Sequence, residues 1–146
     1  MNCSRRDLGL LLPVLAATRA ATATAPPGVL AKTTVYHDRQ LPWNGNDEKK
    51  GREFFLGDTH NGFRLEMHET QLGPGATTHA PHKHETEEII ILTEGTLEAL
   101  FDDKTQKVEA GSVIWLASNQ MHSVRNLGDK PCRYYVIELR GPKAVA

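Results

Sequence analysis

Apolar and polar residues alternate through the second half of this chain with a period of two, the repeat of a strand that buries one face. Phe63, Leu65 and Met67 alternate with Arg64, Glu66 and His68, and the run ends at Gly73-Pro74-Gly75. Glu88 to Leu92 is apolar after its first residue and reads as a short strand covered on both faces. Gly95 then permits a sharp turn into a strand over Thr96 to Phe101, with a hairpin tip at Asp102-Asp103-Lys104 and a return strand carrying Val108. Ser112 to Leu116 forms the next strand, Asn126 to Lys130 a turn, and Pro131 to Arg140 the last strand. Upstream, residues 26–33 are a Pro- and Gly-containing lead-in, Thr33 to His37 is expected as a first edge strand, and Leu41 to Lys50 as a loop. No window beyond the N-terminus holds a 3.6-residue apolar period, so helix content should be low. Strands about 8 to 12 residues apart, with turn residues between them, imply an all-β sandwich or barrel.

The N-terminus departs from this pattern. Ser4-Arg5-Arg6-Asp7-Leu8 leads into an apolar run from Leu8 to Ala17, followed by small residues that include Ala21-Thr22-Ala23 and Ala23-Thr24-Ala25. A basic start, a short apolar stretch and small residues make up a secretory signal, and the run is too short for a spanning helix of about 20 residues. The paired arginines resemble a bacterial twin-arginine signal, and the expected location is periplasmic or secreted. Residues 1–25 are therefore assigned to a signal peptide, 26–58 to a lead-in with an edge strand, and 59–141 to the barrel core.

Removing that leader takes three arginines and one aspartate from 17 basic and 18 acidic residues, which leaves a net charge of −3 with histidines neutral. Such a balance offers no basic patch for nucleic acid, and no membrane partner is expected after cleavage. Of the two cysteines, Cys3 lies within the leader, so the mature chain is left with Cys132 and no intrachain disulfide. Cys132 sits in an alternating segment and is read as a small buried apolar residue. Trp115 is read as core, and Phe101, Tyr134 and Tyr135 as core or cavity lining.

Chemistry concentrates at four positions. His82 and His84 are two residues apart, so on extended backbone both imidazoles point to one side. Glu88 follows after a short bend, and His122, 34 residues beyond it, can join only if a strand returns past the first pair. Three imidazoles and a carboxylate suit a divalent first-row transition metal, with Fe, Mn, Ni and Zn as candidates. His79 is expected at the mouth of such a site or on the surface, and His37, His60 and His68 are read as non-ligands.

The pattern H-x-H-x3-E-x6-G formed by His82, His84, Glu88 and Gly95 resembles the first motif of the cupin superfamily, although Gly75 stands one residue too far upstream. The family's second motif is matched by Gly111, His122 and Asn126, while Ala117 and Asn119 stand where Pro and Gly are usual. Asn tolerates a left-handed backbone better than other non-Gly residues, so Asn119 can make the turn that the missing glycine would. The resemblance implies a double-stranded β-helix, or jelly-roll, barrel with a metal in its mouth held by His82, His84, Glu88 and His122.

It also implies a small-molecule substrate or ligand. Three histidines and a glutamate resemble the cupin dioxygenases that act on enolised, phenolic or hydroxy-acid substrates, with Glu88 and His79 as candidate general bases. Two other readings stay open: a redox-neutral isomerase or lyase acting on a sugar acid, and a non-catalytic small-molecule-binding cupin. Family members commonly pair, so a homodimer is a further expectation.

Overall fold

The computed structural model describes residues 28–30 and 32–142; the leader expected at residues 1–25 lies outside them. Ten strands occur in chain order among the described residues: β1 (Gly28–Val29), β2 (Asn44–Gly45), β3 (Lys49–Asp58), β4 (Arg64–Leu72), β5 (Glu87–Glu94), β6 (Thr96–Phe101), β7 (Lys104–Glu109), β8 (Val113–Leu116), β9 (His122–Asn126) and β10 (Cys132–Arg140). A 3-10 turn at Asp38–Gln40 is the one helical element described. One sheet runs β1-β3-β4-β10-β5-β8, with β2 paired to β3, and the other runs β7-β6-β9. Apart from the short parallel contact of β1 with β3, every ladder is antiparallel. The two sheets close into the expected jelly-roll barrel.

Strand parity decides what lies inside. On β10, Cys132, Tyr134 and Val136 are buried, and Glu138 follows on the same side. In register with them on β4 stand Leu72, Thr70, His68 and Glu66. The deep layer, Leu72, Leu92, Leu97 and Cys132, is closed to solvent, and each leucine there contributes about 1.5–3 kcal/mol of transfer free energy. The interior thus grades from apolar at the bottom to hydroxyl, imidazole and carboxylate groups at the mouth. Cys132 is buried as expected, and burial raises its thiol pKa, as suits an inert packing residue.

Two turns depend on unusual backbone. Gly95 has φ +85, and a Cβ there would lie 2.7 Å from the Cys132 Cβ; no other residue fits both the conformation and the space. Asn119 has φ 60, the left-handed conformation expected of it.

Several sequence expectations are corrected. Residues 33–37 are exposed and form no strand. Within 41–50, expected as a loop, β2 pairs with the start of β3, and the Asn46 side chain accepts hydrogen bonds from the Glu48 and Lys49 amides to close the hairpin. The long β3 is hidden in the sequence by its polar start, Lys49-Lys50-Gly51-Arg52, because Arg52 is buried by pairing and not by apolarity. Glu88 to Leu92 is not covered on both faces: Glu88, Ile90 and Leu92 are buried, whereas Ile89 and Ile91 are half-buried on the outer face. Trp115 is 53% exposed and so is not core. β8 is an edge strand whose inward parity is taken by Ile114 and Leu116, which turns Trp115 outward.

Candidate metal centre

His82 lies outside the named strands, on the connection between β4 and β5. A two-way backbone bridge to His122 holds it in place, with His82 N–H donating to His122 O (3.1 Å) and His122 N–H donating to His82 O (2.8 Å). This is the returning strand that the sequence required. His84 is anchored two residues on, where its carbonyl accepts the Asn119 N–H at 2.7 Å. The left-handed turn at Asn119 is thereby tied directly to one imidazole's backbone.

One ring nitrogen from each of His82, His84 and His122 lies within 4.8 Å of the others. Nitrogens bound to one ion at about 2.0–2.1 Å stand about 3 Å apart when adjacent, so small ring rotations complete the set. Glu88 joins them from β5: its Oε2 is 3.3 Å from His84 Nε2 and 3.9 Å from His122 Nε2.

The outward nitrogens are already engaged. His84 Nδ1–H donates to the Thr86 carbonyl at 2.9 Å, with Thr86 Oγ1 2.7 Å away, and His122 Nδ1–H donates to the Gln120 carbonyl at 2.9 Å. Both rings are thus held as the tautomer that leaves Nε2 a free acceptor, which is how metal-binding imidazoles are oriented. His82 Nδ1 is buried and has no hydrogen-bond partner, a costly state for an isolated ring nitrogen. Free Nε2 atoms, an orphaned buried nitrogen and a nearby carboxylate together fit a divalent transition metal.

Glu88 is itself unusual. Burial, reinforced by Glu138 directly opposite it in the ladder, raises its carboxyl pKa above the ordinary carboxylate range, and His84 only partly offsets this. His79 is not among the three clustered histidines, but its ring meets that of His82 edge-on at 4.2 Å. Desolvation, then the neighbouring His82 and Lys49, lowers its pKa to about 4. His79 is therefore neutral near pH 7.

These groups surround a cavity of about 100 Å³ whose wall also includes His68, Thr70, Thr78, Tyr134 and Glu138. His68, read as a non-ligand, faces this cavity with its Nδ1 3.0 Å from Glu66 Oε1. Sequence motifs missed His68, Thr70, Thr78 and Glu138 as cavity residues. For His68, Thr70 and Glu138, strand parity carries the signal, and it is readable only once register is known. Asn126, the last residue of the second motif, has a purely structural place. Its Nδ2 donates to the carbonyls of Leu72, Gly73 and Lys130, and its Oδ1 accepts from Gly128 N–H.

Residues 68–138 match the family model described as a cupin domain, a span from within β4 to near the end of β10. No curated protein matches this chain in sequence. Among solved structures, the chain is similar to a polyketide cyclase from Streptomyces resistomycificus at 22% identity, covering 74% of this chain and 80% of that one with a TM-score of 0.62. A cupin described as RmlC-like, from Shewanella frigidimarina, matches at 13% identity over 77% of this chain and 95% of its own, with a TM-score of 0.62. A predicted oxalate decarboxylase from Thermotoga maritima matches at 16% identity over 73% and 98%, also with a TM-score of 0.62. At these identities the likeness establishes the fold, and names so different select no single reaction.

Proposed function

From a domain that folds as a cupin barrel and gathers three histidines at its mouth, we propose an exported, metal-dependent oxidoreductase of the dioxygenase type. Its substrate would be a small enolised, phenolic or hydroxy-acid compound. The observation that carries this reading is the convergence of His82, His84, His122 and Glu88 on one side of an open cavity, with two Nε2 atoms left free by hydrogen bonds at Nδ1. A divalent metal held by these four residues would leave one or two coordination positions open and supply Lewis acidity and, for a redox-active ion, electrons.

The chain's own groups divide the remaining work. Thr86 and Gln120 hold two imidazoles in orientation. Glu88, with its raised pKa, takes up a proton more readily than an ordinary carboxylate. His79, neutral near pH 7 and edge-on to His82, offers a second proton acceptor at the rim. A cavity of about 100 Å³ favours the smaller members of the substrate class, since a dry cavity of about 150 Å³ is what accommodates benzene.

Elemental analysis of protein purified without added metal, followed by oxygen uptake with enols, phenols and hydroxy acids, tests the reading. Native metal at about one ion per chain, lost in His82→Ala, His84→Ala and His122→Ala, with substrate-dependent oxygen consumption, is the expected result. Turnover of a sugar acid without oxygen consumption would favour a redox-neutral isomerase or lyase instead. Full metal occupancy in any of the three variants would remove that residue from the site. Export is supported by the Arg5-Arg6 start and the apolar run after it. Exported protein should have a mass lacking the first 20 to 25 residues, and retention of Met1 to Ala20 would contradict cleavage.

A further inference from the structure

His68 matches no ligand motif and lies outside the cluster of His82, His84 and His122, yet it lines the same cavity. On β4 it stands one step deeper than Glu66, opposite Val136 of β10, and its side chain is 28% exposed, so a small molecule in the cavity can reach it. Its tautomer is fixed. His68 Nδ1–H donates to Glu66 Oε1 at 3.0 Å, and that hydrogen bond holds the Glu66 carboxyl below its ordinary pKa, so the acceptor is a carboxylate near pH 7. Nε2 is thereby left with its lone pair, and it has no hydrogen-bond partner among the described residues. His84 and His122 are also held at Nδ1, but by the backbone carbonyls of Thr86 and Gln120. A carbonyl only orients a ring, whereas a carboxylate also stabilises the positive charge of a ring that has taken up a proton. Glu53 of β3 stands opposite His68 in the ladder, Glu138 of β10 opposite Glu66, and Glu88 of β5 opposite Glu138, so the other titratable groups in these two rows of the large sheet are all carboxylates. No carboxylate acts on His79, the other cavity imidazole outside the cluster, whose neighbours are His82, Lys49, His122 and His84.

We infer that Glu66 and His68 form a proton-accepting pair, in which His68 Nε2 takes the hydroxyl proton of the small enol, phenol or hydroxy acid taken up beside the histidine cluster. This rests on the functional reading above and adds to it a catalytic residue outside the four candidate ligands. In the step, the substrate O–H bond breaks and its electron pair stays on oxygen. A new N–H bond forms at Nε2, and the Glu66 carboxylate faces the resulting imidazolium through Nδ1–H. Loss of the proton turns a neutral oxygen into an anionic one, which a divalent cation attracts more strongly. Glu88 suits this task less well when it serves as a ligand, since a carboxylate beside a cation takes up a proton less readily.

A proton count in zinc-loaded protein, where the metal is redox-inert, tests the pair. Catechol is titrated near pH 7 in buffers of different ionisation enthalpy, and the dependence of the calorimetric heat on buffer gives the protons released per catechol bound. Wild type should release well under one proton, because Nε2 retains it, whereas His68→Gln should release about one. Affinity in that variant should then rise about tenfold for each unit of pH, and less steeply in wild type. Glu66→Gln keeps a hydrogen-bond acceptor for the ring but not the charge, and should release more than wild type. A purely structural role for the pair would weaken binding without changing the count. Release in His68→Gln equal to that of wild type would therefore overturn the assignment while leaving the functional reading intact. Should His68→Gln lose its zinc, the count in Glu66→Gln decides alone, and release equal to wild type there would overturn it in the same way. Failure of wild type to bind catechol would instead count against the substrate class, and the assignment of the pair would fall with it.

Discussion

Two buried carboxylates, Glu69 and Glu88, sit on neighbouring parts of the large sheet and are treated in opposite ways. Glu69 on β4 is 1% exposed, and Arg52 of β3 answers it with Nε–H donating to Oε2 at 2.6 Å. The Arg52 guanidinium is in turn capped by the Asp38 carbonyl and lies over the Trp43 ring, 4.5 Å from its centroid. Glu88 on β5 is 8% exposed and has no lysine or arginine ion-pair partner among the described residues; it faces imidazoles on one side and Glu138 on the other. One carboxylate is neutralised by the chain, and the other lies beside three histidines that could hold a metal ion. The contrast separates a structural ion pair from a binding site without reference to motif.

Breaking the first member of this comparison should have the largest effect. Arg52→Ala leaves the buried Glu69 with only the more distant Arg133, whose Nε lies 3.8 Å from Oε1, and should cost about 3 kcal/mol in urea unfolding. Arg52→Met with Glu69→Leu should recover most of that loss, and a double variant as unstable as the single one would show that the pair is not what matters. Next in size, zinc supplied at a hundred times its dissociation constant should stabilise the wild type by about 2.7 kcal/mol, while His122→Ala should show no such shift. Glu88→Gln should come third. In metal-free protein it sheds a buried like-charge contact and should gain about 1 kcal/mol, yet its zinc affinity should fall at least about tenfold, the scale seen for groups that only orient ligands. A variant that gains stability and keeps its affinity would place Glu88 outside the ligand set.

The smallest effect belongs to an intermediate case, Glu66, whose carboxyl is held below its ordinary pKa chiefly by the hydrogen bond from His68. A depressed folded pKa contributes stability that is present above the unfolded value near 4.5 and is lost as pH falls through the folded one. Glu66 is 30% exposed, so the contribution should be below about 1 kcal/mol. His68→Ala should flatten the acid side of the stability profile, and an unchanged profile would discard the interaction.

That His82, His84 and His122 could share a metal ion was readable before any fold was known, because metal ligation imposes spacing. His82 and His84 share a side only at an interval of two, and the return of His122 past them follows from needing a third nitrogen. Asn119 was readable for a similar reason, since few side chains tolerate its φ of 60. By contrast, β3 looked polar, Trp115 looked like core, and residues 33–37 looked like a strand. Each of these depends on how strands come together: Glu69 answers Arg52, the position of β8 at a sheet edge turns Trp115 outward, and none of the described strands pairs with residues 33–37. Tyr134 stood between core and cavity for the same reason.

Local chemistry in the chain determined most strand periods, the turn positions and the three histidines able to meet a cation, because these follow from side-chain alternation, backbone tolerance and donor type at short range. Tertiary structure alone decided which carboxylate receives an arginine and which faces histidines. Burial and pairing are properties of strands brought together from far along the chain, and register sets them.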